Sequence, residues 1–285
     1  MKNVEELGQL LQLERIEENF FRGNSYKTSW KRVFGGQVLA QALHAANQTV
    51  PEDRFAHSMH AYFILPGDVE FPIVYEVDRI RDGGSFTTRR VVAIQKGRPI
   101  FNMSASFQLQ QNGLGHQIDM PIVKPPEELL TDQELAEAYK EKYPQLYRQM
   151  QLPRPIEFRP VEHIDITKSE AHIPFRHVWI KAKGRLPDDI RLHQEVLLYA
   201  SDYNLLTTAM LPHLHEISFH EIQIASIDHG IWFHRDFRAD EWLLYALDSP
   251  SASNARGFTR GSIFNQEGLL VASVVQEGLM RQRRK

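Results

Sequence analysis

Two segments of the chain follow helical spacing, and each leads into a series of short segments with strand character. In the first, Val38, Leu39, Ala42, Leu43 and Ala46 recur at three- and four-residue steps behind the pair Gly35-Gly36. From about His60 the pattern turns to strands. Residues 71–80 alternate and are rich in Val, Ile and Tyr, and Asp82-Gly83-Gly84 marks a turn. Residues 86–95 read as a strand, Lys96-Gly97 as a turn and residues 99–108 as another strand. The second series begins with a helix over 192–206, apolar on every side at Val196, Leu197, Leu198, Tyr199 and Ala200. Strands follow at 223–234, 242–248, 257–265 and 269–278. A helix apolar all round must be buried all round. The pattern therefore predicts an α+β fold of two repeats, each a curved antiparallel sheet wrapped around one long helix.

A shift of 170 residues aligns the two series. Tyr62 then meets Trp232, Tyr75 meets Tyr245, Arg90 meets Arg260 and Ile94 meets Phe264. Two copies predict a duplicated unit, not a solenoid. Between them lies a proline-rich connector holding seven of the 15 prolines, from Pro121 to Pro160. Within it Thr131 and Glu134 form a capping-box pattern that starts a short helix over 132–143, stopped by Pro144. The expected division is 1–115, a connector over 116–165, and 166–285. Each unit has two sheet edges, and the two sheets are expected to join into one.

Composition narrows the function. With 33 Lys+Arg against 36 Asp+Glu the net charge is -3, which argues against a nucleic-acid partner. The absence of cysteine excludes a thiol nucleophile, a disulfide framework and a thiolate metal site. The first 20 residues mix apolar and acidic side chains and do not read as a secretory signal, and Arg281-Gln282-Arg283-Arg284-Lys285 is no retention or peroxisomal address. No stretch is long and apolar enough for stable membrane insertion, so a cytoplasmic protein is expected.

The common catalytic signatures G-x-S-x-G, G-x-G-x-x-G, the Walker A loop and H-E-x-x-H are missing. The cluster of His213, His215, His220, Glu216 and Glu221 reads as an exposed loop, and no metal site is expected. Three polar residues stand out because their neighbours are apolar. Asp202 follows the run Val196 to Ala200, Ser226 sits in Ile224-Ala225-Ser226-Ile227, and Gln276 sits in Val274-Val275-Gln276. A carboxylate there needs partners, and burial tends to raise its pKa. An acid, a hydroxyl and an amide brought together can hold one water, the acid taking its proton.

Taken in order along the chain, several short motifs resemble the acyl-CoA thioesterase II family, the double-hotdog thioesterases. The first half carries Val33-Phe34-Gly35-Gly36-Gln37-Val38, His57-Ser58-Met59-His60-Ala61-Tyr62-Phe63 and Arg81-Asp82-Gly83-Gly84-Ser85-Phe86. The second carries Tyr199-Ala200-Ser201-Asp202, Ile227-Asp228-His229, Trp232-Phe233-His234-Arg235 and Gln276-Glu277-Gly278. The resemblance implies a double hotdog, hydrolysis of fatty acyl-CoA to free acid and CoA, and no cofactor. It maps the family's catalytic acid, hydroxyl and amide to Asp202, Ser226 and Gln276. Bacterial members often have Thr where this chain has Ser226; the hydroxyl is kept and the methyl lost. It also suggests a homo-oligomer, a dimer or a tetramer.

Other candidates depend on position. Gly35 and Gly36 open the first helix, where a backbone N–H can serve a developing oxyanion. His57 is a candidate for a supporting role. Arg89, Arg90, Arg256 and Arg260 are candidates for the phosphates of CoA, against cross-strand pairing on a solvated face. Two other functions compete. Hydration of an enoyl thioester on the same fold needs an acid and a histidine near the helix start, and Asp188 and His193 lie there. A non-catalytic acyl-CoA-binding module has no use for an acid against an apolar core.

Overall fold

The computed structural model describes residues 1–27, 31–216 and 222–282. His220 and Glu221 lie outside the described residues. The first half opens with α1 (Val4–Leu11), then β1 (Glu14–Glu17) and β2 (Phe20–Gly23). The long helix α2 (Gly35–Asn47) follows, then β3 (Arg54–Phe63), β4 (Ile73–Asp82), β5 (Phe86–Gln95) and β6 (Arg98–Leu109). The connector contains α3 (Asp132–Leu135) and α4 (Pro144–Met150). Then come β7 (Ile156–Pro160), β8 (Phe175–Ala182), the helices α5 (Ile190–Ser201) and α6 (Leu205–Met210), and β9 (Ile222–Ser226). The chain ends with β10 (Asp228–Phe233), β11 (Leu243–Ser253), β12 (Arg256–Asn265) and β13 (Leu270–Gln282).

The strands form one sheet in the order β1-β2-β4-β5-β6-β3-β10-β13-β12-β11-β8-β7, with β9 on β13. The two halves meet at β3 and β10, so the expected single sheet is present. Their pairing is symmetric. Tyr62 faces Asp228, His60 faces Gly230 and Ser58 faces Trp232, which places a pseudo-two-fold axis at His60 and Gly230 under the 170-residue shift. The duplication extends to side chains. Arg90 pairs with Asp78 at 3.0 Å and Arg260 with Asp248 at 2.5 Å, each beside a break in strand register.

The sheet wraps α2 and α5, which lie side by side and antiparallel. Gly36 contacts Asp202, while Asn47 contacts Glu195 and Arg191. Nearly all of α2 and all of α5 from His193 onward are buried. Full burial of a leucine such as Leu39 or Leu43 contributes roughly 1.5–3 kcal/mol. Ala40, Ala42, Ala45 and Ala46 let the surrounding elements approach closely. The result is the double hotdog expected from the sequence.

Three local expectations need correction. The helix expected over 192–206 ends at Ser201 and resumes as α6, because Asn204 adopts a left-handed φ of 70°. The strand expected over 223–234 is two strands, parted at Ile227, whose N–H donates to Glu277 O while its carbonyl accepts from Phe63 N. The helix expected over 132–143 has the Thr131–Glu134 capping box but tightens to a 3₁₀ turn at Ala136–Tyr139. Pro144 does not only stop that segment; it occupies the first position of α4, where a missing N–H is harmless. The connector is tied into the rest of the fold. β7 is part of the sheet, and Trp179 Nε1 donates to Lys124 O at 2.8 Å.

Candidate active site

The break between α5 and α6 positions the central acid. Asp202 terminates α5, and its carboxylate reaches across to the first turn of α2 in the other half. That turn lacks a cap of its own: Phe34 precedes it and offers no side-chain acceptor. Asp202 Oδ2 fills the role, accepting from Gly36 N at 2.9 Å. A helix start leaves N–H groups unpaired and carries positive potential, so an anion is favoured there.

The two glycines are required by this approach. A Cβ on Gly35 would lie 2.7 Å from Asp202 Oδ2 and 3.1 Å from the Phe63 ring. A Cβ on Gly36 would collide with the Tyr199 carbonyl oxygen and the Phe34 ring. The sequence suggested a backbone N–H at the helix start opened by Gly35 and Gly36 as an oxyanion donor, and Gly36 offers one such group. In the structure that N–H is committed to Asp202, so its task is to fix the acid.

The other oxygen of Asp202 meets the second half. Gln276 Nε2 donates to Asp202 Oδ1 at 2.8 Å, and Ser226 Oγ donates to the same oxygen at a long 3.4 Å. Gln276 projects inward from β13, and Ser226 ends β9 opposite Gly278. Residues 74 and 24 positions from Asp202 thus converge on one oxygen. Asp202 keeps partial exposure, yet protein surrounds its carboxyl closely enough that desolvation raises its pKa above the ordinary aspartate value. The bonds from Gln276, Gly36 and Ser226 oppose that rise. Phe34, which precedes the glycine pair, packs against Tyr199 and Tyr203, with ring centroids of Phe34 and Tyr203 4.6 Å apart.

Behind Gln276 stand residues to which the sequence reading gave no role. His229 is 1% exposed, with Nδ1 3.3 Å from Gln276 Nε2 and Nε2 3.0 Å from Ser201 Oγ. Tyr245 OH donates to Ser201 O at 3.0 Å, holding the residue before the acid. His229 had a legible signal: it alternates with the inward-facing Ile231 and Phe233.

The remaining candidates lie elsewhere. His57 is half-buried, its Nε2 2.8 Å from Ser106 Oγ, and burial lowers its pKa. Arg89 is 1% exposed, and its guanidinium donates to Thr49 Oγ1 and O, Arg81 O, Thr88 O and Asp82. It ties strands to the end of α2 and has no surface to offer a phosphate. Arg90 and Arg260 are the exposed cross-strand pairs already described, and Arg256 pairs with Glu277 at 2.9 Å. Replacing Arg89 by Leu is expected to remove about 2–4 kcal/mol of stability, since carbonyls would lose buried partners. Arg90→Gln should cost at most about 1 kcal/mol. Equal shifts of the two urea midpoints would contradict this assignment.

Asp188 and His193 do not assemble as an acid–base pair. Asp188 is held by Arg238, and His193 Nδ1 accepts from Ala239 N at 3.0 Å. Among the described residues no group of three or more His, Cys, Asp or Glu is placed to hold a metal, and no helix is long and apolar enough to cross a membrane.

Known proteins match this chain over nearly its whole length. The profile of the acyl-CoA thioesterase family matches residues 154–279, and that of the acyl-CoA thioesterase N-terminal domain matches residues 26–108. Acyl-coenzyme A thioesterase 8 of Homo sapiens is 41% identical over 95% of this chain and 88% of its own length. Acyl-CoA thioesterase 2 of Haemophilus influenzae is 40% identical over 95% of this chain and 96% of its own. The crystal structure of acyl-CoA thioesterase II TesB2 from Mycobacterium marinum superposes with a TM-score of 0.80, at 41% identity, covering 97% of this chain and 98% of that one. Sequence, fold and extent of similarity agree: the chain belongs to the acyl-CoA thioesterase family.

Proposed function

We propose that the protein hydrolyses fatty acyl-CoA thioesters to free acid and CoA by direct attack of water, with Asp202 as the base. The observation that carries this reading is the carboxylate held at both oxygens, Oδ2 by Gly36 N and Oδ1 by Gln276 and Ser226. Such a group is aimed before substrate arrives, so its orientation is not lost during reaction.

In the proposed reaction Asp202 takes one proton from water as the water oxygen bonds to the thioester carbonyl carbon. Ser226 and Gln276 orient that water. The carbonyl oxygen becomes an oxyanion beside the start of α2, whose positive potential favours it. The carbon–sulfur bond then breaks, and the proton held by Asp202 leaves with the CoA sulfur. Water and thioester are consumed; acid and thiol are formed. An acyl-enzyme on Ser226 has weaker support: the hydrogen bond from Ser226 Oγ runs to a carboxylate, not to a histidine.

The test is release of CoA thiol over acyl-CoAs of graded chain length, read with a thiol reagent against a cysteine-free protein. The pH dependence is the sharper readout. The base form of Asp202 is the active one, and desolvation raises its pKa. Activity should therefore fall with decreasing pH at a higher pH than an ordinary aspartate near 3.8 would impose. The sign for stability is opposite. Between the unfolded value and the raised folded value, ionising Asp202 destabilises the native state as pH rises. Absence of thiol release despite acyl-CoA binding would turn the reading to a binding module.

A further inference from the structure

A line of hydrogen bonds runs from the acid into the interior. Gln276 Nε2 lies 2.8 Å from Asp202 Oδ1 and 3.3 Å from His229 Nδ1. His229 Nε2 lies 3.0 Å from Ser201 Oγ, which donates to Leu198 O at 2.9 Å. The two ends of the line are acceptors only: an ionised carboxylate and a backbone carbonyl. Ser201 has one hydroxyl hydrogen, and Leu198 O takes it. Ser201 Oγ must then accept from His229 Nε2–H. A neutral imidazole has a single N–H, so Nδ1 is bare and accepts from Gln276. The two amide hydrogens of Gln276 are thereby divided between His229 and Asp202.

We propose that His229 is a positioning residue, which as the neutral Nε2–H tautomer fixes the amide of Gln276 with its nitrogen toward Asp202 and its oxygen free. The proposal rests on the reading that Asp202 activates water. The reversed amide would set Gln276 Oε1 against two acceptors, Asp202 Oδ1 and the bare Nδ1. In the fixed orientation Gln276 is 2% exposed and Oε1 has no partner among the described residues. A buried carbonyl oxygen without a partner is costly unless something donates to it. A water attacking beside Asp202 has a second hydrogen to donate. Gln276 would thus serve that water as an acceptor, not as a donor. Burial supports the neutral state, holding the imidazole pKa down to about 3. Among the described residues its ring has hydrogen-bond partners only in Gln276 and Ser201, and neither is charged.

Two substitutions separate the ring nitrogens. In His229→Asn the amide oxygen stands near the Nδ1 position and still accepts from Gln276. In His229→Gln the amide nitrogen reaches toward Ser201, and the acceptor for Gln276 is lost. The expected result is that His229→Asn keeps kcat for acyl-CoA hydrolysis within about 5-fold of wild type. His229→Gln should lose about 30-fold or more in kcat with little change in KM. Nitrogen-resolved NMR of the wild type should show the Nε2–H tautomer of His229 without titration from pH 5 to 9. Equal losses in the two folded variants, or a smaller loss in His229→Gln, would overturn the proposal. So would an Nδ1–H tautomer or an imidazolium signal, which decides the matter even if both variants unfold. Full activity in Asp202→Asn would instead remove the water-activation reading, whatever the His229 variants do.

Discussion

Asp202→Asn is expected to lower kcat for acyl-CoA hydrolysis about 100-fold or more, within the range for loss of a positioned general base. The asparagine can still accept from Gln276 and Ser226 through its oxygen. Its nitrogen then faces Gly36 N–H, a donor against a donor. That mismatch destabilises the protein, while removal of a desolvated charge offsets part of it. A small change in Tm should therefore accompany the large loss of rate. KM should move little, because in the proposed reaction the carboxylate acts on water and not on the body of the substrate. A variant with kcat within 10-fold of wild type would sink the assignment of Asp202 as base.

The second large effect is expected at Gly36. The added methyl of Gly36→Ala meets a backbone carbonyl, Tyr199 O, and the Phe34 ring, neither of which is a flexible tip. Forcing a methylene into such a site costs roughly 1–3 kcal/mol. The strain falls on the contact between α2 and α5 that sets the position of Asp202. A displacement near 1 Å at a catalytic group can cost about 100-fold in rate, and a loss of that order is expected here. Gly8→Ala provides the contrast. Its added Cβ has nothing within 4 Å, and Gly8 lies inside α1. That change should leave kcat unaltered and stabilise the helix by about 0.5–1 kcal/mol. Thermal melts and thiol release on the two variants check both claims, and wild-type rates in Gly36→Ala would refute the first.

Much of the fold is legible from spacing. The all-round apolar run of α5 requires burial, and the 170-residue shift matches Arg90 with Arg260, which form equivalent bridges to Asp78 and Asp248. Residues that depend on a single backbone angle are less legible. The left-handed turn at Asn204 converts an expected continuous helix into two, and Asp202 owes its reach to that break. Long-range partners are also hidden. Nothing local to Gly36 shows that its N–H is taken by a carboxylate 166 residues away. Asp202, Ser226 and Gln276 could be picked out because each interrupts an apolar run. Arg89 could not be told from Arg90 by sequence, since the two neighbours alternate across the sheet, one buried and one exposed. Arg89 has Thr259 at its place in the second half, so even the repeat gives no guide to its role.

The pseudo-two-fold axis has an evolutionary consequence. A symmetric pair of identical subunits would have two identical clefts, one at each end of the helix pair. Here the far end is filled. The end of α2 carries Asn47 and Gln48 where α5 leads to Asp202, and the places of Ser226 and Gln276 are held by Ala56 and Ser106. Arg191 at the start of α5 donates to Asn47 O, Pro51 O and Arg54 O, and Gln194 donates to Ala56 O. Two copies in one polypeptide need not share every mutation, as identical subunits must. One end of the helix pair holds the candidate acid, and the other is mortar between the halves.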